Sequence, residues 1–167
     1  MGIIMIIKKM VKEEVLEILN DMFEIINNNM EDIVETNNSK EENYKIWKES
    51  MLQELDNNSK RWVGAFLDNT LVGYFLYRVL DKKVYLDEVQ LREDRQGDKI
   101  TFISLMKELL NDEEIDDDYQ VYLYVNDNNK RSLRVVQKLG FKEFEKLKKG
   151  KRYYNDFVNL KNCINNY

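Results

Sequence analysis

Val89-Gln-Leu-Arg-Glu-Asp-Arg-Gln-Gly97-Asp-Lys-Ile-Thr-Phe102 reads as the end of a strand, a turn with one Gly, and the start of a helix. The helix is marked by Phe102, Ile103, Met106, Leu109 and Leu110, apolar at three-to-four spacing. Free amides in a first helical turn, with the dipole behind them, attract phosphate groups. A Gly at the junction lets backbone approach a bulky anion. Arg92, Arg95 and Lys99 add positive charge at the same end. A lone Gly also serves such junctions for conformation alone, and both readings stay open. The stretch is not a P-loop, because no second Gly is followed by Lys-Ser or Lys-Thr.

Immediately upstream, Val84 to Leu91 changes phase. Val84 and Leu86 place apolar side chains on one parity, and Val89 and Leu91 on the other. A strand with one buried face keeps phase, so the slip suggests a β-bulge near Asp87-Glu88. The alternative is a central strand, apolar on both faces. Arg61 to Leu67 and Leu71 to Leu80 flank the turn pair Asp68-Asn69, and with Val84 to Leu91 they predict an antiparallel meander. Ahead of it come a strand at Ile3 to Ile7 and a helix from Val11 to Ile26, which Asn27 to Asn29 breaks or frays. A second helix opens with Ser39 and Glu42 in a capping-box pattern and ends at Asn57-Asn58-Ser59. Behind the Gly97 turn follow a six-acid connection over Asn111 to Asp118, a strand at Val121 to Val125, and a helix marked by Leu133, Val136 and Leu139. Gly140 supplies the left-handed cap of that helix. A final hairpin, Phe141 to Leu147 with Arg152 to Leu160, turns around Gly150. The order β-α-α-β-β-β-α-β-α-β-β predicts one α+β domain over residues 1–167, with a mixed, mostly antiparallel central sheet flanked by helices.

Composition removes several chemistries. The chain of 167 residues has no His, no Pro and one Cys, and a single Ala (Ala65) against nineteen Asn. Without His there is no Ser-His-Asp or Cys-His catalysis and no imidazole zinc site. The acidic connection lacks the alternating spacing and central Gly of a calcium loop, so no metal is expected. One Cys forbids an intramolecular disulfide and fits a reducing cytoplasm. Cys163 lies in what reads as an exposed polar tail, Lys161 to Tyr167. No apolar run approaches the ~20 residues of a membrane span. With 26 Lys+Arg against 31 Asp+Glu the net charge is −5. That charge disfavours nucleic acid as a partner and suits a cationic small substrate such as an amine.

Two stretches resemble the GNAT superfamily of acetyl-CoA-dependent N-acetyltransferases. Gln96-Gly-Asp-Lys-Ile-Thr101 stands where the family has its Arg/Gln-x-x-Gly-x-Gly/Ala pyrophosphate loop, with Lys99 and Thr101 at places the family fills with small residues. A register with Gly97 as the first family Gly puts Asp94 in the Arg/Gln place. Asn129-Lys-Arg-Ser132 through Val136 to Gly140-Phe141 is similar to the family's Asn-x-x-Ala/Ser…Tyr-x-x-x-Gly-Phe segment. The resemblance covers nearly the whole chain. It implies acetyl-CoA as co-substrate and acetyl transfer to a small-molecule or peptide amine in a ternary complex; the alternative is a CoA-binding module of the same fold without efficient turnover. Homodimerisation is left open.

The resemblance also implies roles. Backbone of Val89, Gln90 and Leu91 would meet the pantetheine and acetyl end. Amides of Gln96, Gly97, Asp98, Lys99, Ile100 and Thr101 would hold the pyrophosphate, and Asn129 and Ser132 would lie along the CoA arm. Asn129 equally fits a helix N-cap, and Ser132 a small first-turn residue. Val136 departs from the Tyr that many members place to protonate the leaving thiolate. Tyr122, Tyr124, Tyr153 and Tyr154 are the nearby candidates to replace it. For a base, an amine nucleophile without His requires a carboxylate or a water relay. Glu88, at the suspected bulge, is the candidate, with Asp87 expected on the opposite strand face. The plainer reading of Glu88 is an exposed strand carboxylate paired with Lys or Arg. The acceptor site is expected between the first two helices and the last hairpin.

Overall fold

The structure, a computed structural model, describes residues 4–167. Seven strands form one sheet in the order β1-β2-β3-β4-β5-β7-β6. The strands are β1 (Met5–Lys9), β2 (Lys60–Leu67), β3 (Thr70–Leu80), β4 (Lys83–Leu91), β5 (Gln120–Asn126), β6 (Lys142–Lys146) and β7 (Gly150–Asp156). Every neighbouring pair is antiparallel except β4 and β5, which run parallel and are joined through α3 (Lys99–Leu110). Ile3, in the expected first strand, lies outside the described residues.

Alternation on β3 sorts the core into two layers. Phe75 and Tyr77 turn to one face and pack with Leu105 and Leu109 of α3. Tyr74 and Leu76 turn to the other and meet Val15, Leu19 and Met22 of α1 (Lys12–Met30), with Met51 of α2 (Lys40–Glu54). The hairpin turn at Asp68-Asn69 is left-handed at both residues, with φ of 49° and 63°. Ser39 accepts from the Glu42 amide and caps α2 as its sequence predicts. Gly140, φ 82°, ends α4 (Lys130–Lys138).

Four expectations need correction. Asn27 to Asn29 does not break α1, which runs on to Met30, because Asn29 gains tertiary hydrogen bonds described below. The strand expected over Arg152 to Leu160 stops at Asp156, and the chain turns into α5 (Phe157–Asn165). Phe157, Leu160 and Ile164 of α5 are buried at helical spacing against the α3 layer. Cys163 therefore sits half-buried on a helix that packs on the core, not in an exposed tail. The acidic connection is not wholly solvated either: Asp112 is buried and accepts from Arg61 Nε at 3.1 Å and Tyr77 Oη at 2.8 Å. Among the described residues no helix is long and apolar enough to cross a membrane.

Candidate active site

The predicted bulge is present. Leu76 pairs with Glu88 and Tyr77 with Leu86, which leaves Asp87 without a partner on β3. The extra residue restores phase, so Leu86 and Val89 both pack toward the α3 layer. It also corrects one expectation, because Asp87 does not point away from Glu88. Both carboxylates turn to the α1/α2 face, where Asp87 is held by Lys60 Nζ at 3.0 Å and by the Arg78 guanidinium at 2.9 Å. Lys60 in turn lies over the Trp62 ring of that layer. Just before the bulge the parallel pairing ends at Leu86↔Leu123, although β4 continues to Leu91 and β5 to Asn126. Two strands that diverge after a shared stretch leave a gap, and here it opens into a cavity of about 730 Å³.

Most of the residues singled out from sequence meet in this cavity. Glu88, Val89, Gln90 and Leu91 line it from β4, and Gln96, Gly97, Asp98 and Lys99 from the loop into α3. Asn129 and Ser132 line it from the start of α4. Ile100 and Thr101 do not: Ile100 is exposed to solvent and Thr101 is buried beneath the helix. Asn129 is the α4 N-cap, its Oδ1 accepting from Ser132 N at 3.1 Å, and it does so at the edge of the cavity.

Glu88 is not the exposed, paired strand carboxylate of the plainer reading; the Lys and Arg pairing falls to the half-buried Asp87. Glu88 Oε2 is shut from solvent without a hydrogen-bond partner. Loss of hydration pushes its pKa up to about 7 from an ordinary 4.5, while Tyr74 and Lys60 oppose the rise and Asp87 adds to it. The Tyr74 hydroxyl faces the same region and is also buried without a completed bond. Its own pKa is raised well above the ordinary value, by burial first and then by Glu88.

The loop between β4 and α3 is largely self-satisfied. Gly97 adopts φ 85° with open space where a side chain would start. Gln96 N and Asp98 N bond back to Glu93 O and Arg95 O. The Asp98 carboxylate caps α3, accepting from Ile100 N at 3.0 Å, Thr101 N at 3.5 Å and Thr101 Oγ1 at 2.7 Å. These contacts, with the Thr101 hydroxyl foremost, hold its pKa below the usual carboxylate range. Arg92 is paired with Asp94 at 2.6 Å, and Arg95 lies 3.5 Å from Asp98. Among the described residues, the loop's bonds leave out the amides of Gly97 and Lys99.

Positive charge at the cavity comes largely from elsewhere. Arg131, Arg134 and Lys138 line it from one stripe of α4, spaced three and four apart. That stripe is readable in the sequence once the helix is set, and sequence reasoning missed it. It also missed Asn29. The Asn29 amide donates to Gln90 Oε1 at 3.0 Å and to Leu91 O at 2.8 Å, while its Oδ1 accepts from Gln96 Nε2 at 2.5 Å. Arg131 completes the chain by donating to Gln96 Oε1. This network ties the end of α1 to β4, the loop and α4. Of the four tyrosines offered as proton donors, only Tyr124 lines the cavity; Val136 lines it too and is buried.

A seven-stranded sheet whose single parallel pair splays over a bulge, facing a helix N-terminus and a cationic helix, is the architecture of an acyl-CoA-dependent transferase. The chain belongs to the GNAT family of acetyltransferases, whose family model matches residues 13–141. No curated protein matches it in sequence. Among solved structures it is similar to PaiA N-acetyltransferase from Thermoplasma acidophilum in complex with coenzyme A: 21% identity, TM-score 0.72, covering 92% of this chain and 99% of that one. An acetyltransferase from Thermus thermophilus gives 16% identity, TM-score 0.69 and coverage of 92% and 97%. The spermidine/spermine N-acetyltransferase SpeG from Vibrio cholerae gives 13%, 0.63, and 95% and 96%. At these identities the structures speak to the fold alone.

Proposed function

We propose that the chain moves an acetyl group from acetyl-CoA directly to an amine while both are bound. The observation that carries this reading is Glu88, a buried carboxyl with a pKa near 7 in the wall of the β4–β5 gap. A base is most effective when its pKa lies near the working pH. Glu88 takes a proton from the bound ammonium, directly or through water. The freed nitrogen lone pair forms a C–N bond to the thioester carbonyl carbon. The C–S bond then breaks, sulfur leaving with the electron pair as a thiolate that is protonated to CoA thiol. A thiol pKa near ~8.5 makes that thiolate a fair leaving group, so Val136 in place of a donor slows turnover without abolishing it. Tyr124, one of the tyrosines that line the cavity, is our candidate for supplying the proton.

For the co-substrate, backbone of Val89 to Leu91 faces the thioester end. The Gly97 and Lys99 amides, with Arg131, Arg134 and Lys138, face the phosphates. For Ile100 and Thr101 to add their amides, Asp98 must swing off the cap. A second reading, a CoA-binding module with little turnover, draws on that occupied cap and on Val136.

The test is the pH–rate profile of Glu88→Gln against wild type, with released thiol as the signal. Wild type should gain kcat/KM as pH rises through about 7, because Glu88 accepts a proton only when ionised. The variant should fall by ~10² or more at pH 7, less at pH 10 where more acceptor is already neutral. Turnover within about threefold of wild type from pH 6 to 10, far short of that range, assigns the base elsewhere. Absence of thiol release by wild type with any amine, despite acetyl-CoA binding, favours the second reading.

A further inference from the structure

On the α1/α2 side, the sheet beyond β4 has no helix over it among the described residues, and a second cavity of about 590 Å³ lies there. Its floor is aromatic. Tyr85 and Tyr122 stack at 5.8 Å across the parallel pair, and Phe144 meets the Tyr122 ring edge-on at 5.6 Å. Phe144 is itself the unpaired residue of a β6 irregularity between Glu143 and Glu145 and stays 47% exposed. A bulge that presents a half-exposed Phe beside two stacked tyrosines makes a surface for a flat ring.

The rim is cationic on an acidic chain. Arg78, Lys83 and Arg152 line this cavity, against Asp87 alone among carboxylates. Asp87 is already neutralised by Arg78 and Lys60. Lys83 takes part in no ion pair among the described residues and lies over the Tyr122 ring at 5.8 Å, as Arg78 lies over Tyr85 at 4.6 Å. Arg152 pairs only with Glu145, at 2.8 Å with both partners about half exposed, a contact of little worth and easily exchanged. The two cavities share Leu86, Asp87, Leu123 and Tyr124, so this face adjoins the mouth of the gap that opens beyond the Leu86↔Leu123 pair.

Resting on the acetyl-transfer reading above, we propose that this face receives the acceptor, an amine carrying a planar ring and a carboxylate. The ring packs against Phe144 beside the stacked Tyr85 and Tyr122, over which Arg78 and Lys83 lie. The carboxylate meets Lys83 and Arg152, and the amino group reaches the gap past Asp87 and Tyr124 toward Glu88. A polyamine, with several positive charges and no ring, is repelled by the same rim. The net charge of the chain points to cationic acceptors, but the local lining governs what binds at close range.

The experiment compares 4-(aminomethyl)benzoate, benzylamine and spermidine at saturating acetyl-CoA, with a melting shift by acetyl-CoA as a separate reading. The carboxylate-bearing amine should show kcat/KM about tenfold or more above benzylamine, the gain expected of one charge-assisted contact. It should exceed spermidine by at least as much. In Lys83→Glu with Arg152→Glu that advantage should vanish through the acceptor KM, while the KM for acetyl-CoA stays within about twofold. Phe144→Ala should raise the KM of both ring-bearing amines. Preference for spermidine, or equal use of benzylamine, overturns the assignment. So does turnover of none of the three when acetyl-CoA still shifts melting, and that result leaves the co-substrate reading intact. Sedimentation showing a dimer that Phe144→Glu dissociates also overturns it, by giving the face to a second copy. No melting shift with acetyl-CoA removes the underlying reading and this proposal together.

Discussion

Glu88 loses water around one oxygen without gaining a fixed donor, and that costs free energy whenever the group is charged. Its folded-state pKa, about 7, lies above the ordinary 4.5. The folded state therefore holds the proton more tightly than the unfolded one. Stability contributed by this group is complete below pH 4.5 and is lost as pH rises through 7. Each tenfold in proton affinity is worth about 1.4 kcal/mol, so the loss reaches up to about 3 kcal/mol at pH 8. Glu88→Gln, always neutral, should be more stable than wild type in urea at pH 8 by about 1 to 3 kcal/mol and nearly equal at pH 4. Equal stability at both values would mean the carboxyl is hydrated, and its fitness as a base would go with that. Asp98 poses the opposite case. It serves the α3 cap at the place where phosphate is proposed to sit. Asp98→Asn keeps a capping side chain and removes a negative charge. Two charges about 4 Å apart in water differ by ~1 kcal/mol, so acetyl-CoA should bind about fivefold tighter by calorimetry. Weaker binding would show that Asp98 is needed at the phosphates.

At the scale of elements, α4 brings its cations to the cavity by periodicity alone. Arg134 and Lys138 take part in no ion pair among the described residues, so their replacement disturbs little of the apo fold. Arg134→Ala and Lys138→Ala should each weaken acetyl-CoA by up to about 1 kcal/mol, with melting of the free protein nearly unchanged. Unaltered affinity in both would place the phosphates away from α4. The β4 bulge was legible because phase is a local property: two apolar parities in nine residues suggest an extra residue unless the strand is apolar on both faces. The end of the chain was not. Tyr153, Asn155 and Phe157 continue one strand parity, all three buried, and the switch to helical spacing at Phe157, Leu160 and Ile164 begins on a residue that satisfies both periods. Asn27 to Asn29 misled for a related reason. Three successive Asn disfavour helix locally, but Asn29 holds three tertiary bonds to Gln90, Leu91 and Gln96. No window around residue 29 contains those partners, so the residue that ties α1 to the site was invisible in sequence. Glu88 could be nominated from the bulge, but its lost hydration depends on Tyr74 and the α1 layer.

The whole molecule is acidic, yet its main cavity gathers Lys99, Arg131, Arg134 and Lys138 against Asp87, Glu88 and Asp98. One of those carboxylates is spent on Lys60 and Arg78, and another is only about half ionised near pH 7. The cleft is thus a positive region on a negative body, which is how an acidic protein attracts a polyanion. Two consequences can be read in one experiment. A ligand that binds only the folded state stabilises it by RT ln(1 + [L]/Kd), about 2.7 kcal/mol at 100 times Kd. Acetyl-CoA at that concentration should raise urea stability by this amount if the cavity is its site. Because the attraction is electrostatic, the gain at fixed ligand should shrink between ~0.1 M and ~1 M salt, as the screening length falls from ~10 Å to ~3 Å. Stability of the free protein, resting on two apolar layers, should change far less over that range. No gain at millimolar acetyl-CoA would leave the cleft without its co-substrate. A gain indifferent to salt would keep acetyl-CoA there but hold it by the β4 backbone and the cleft wall, not by the charges of α4.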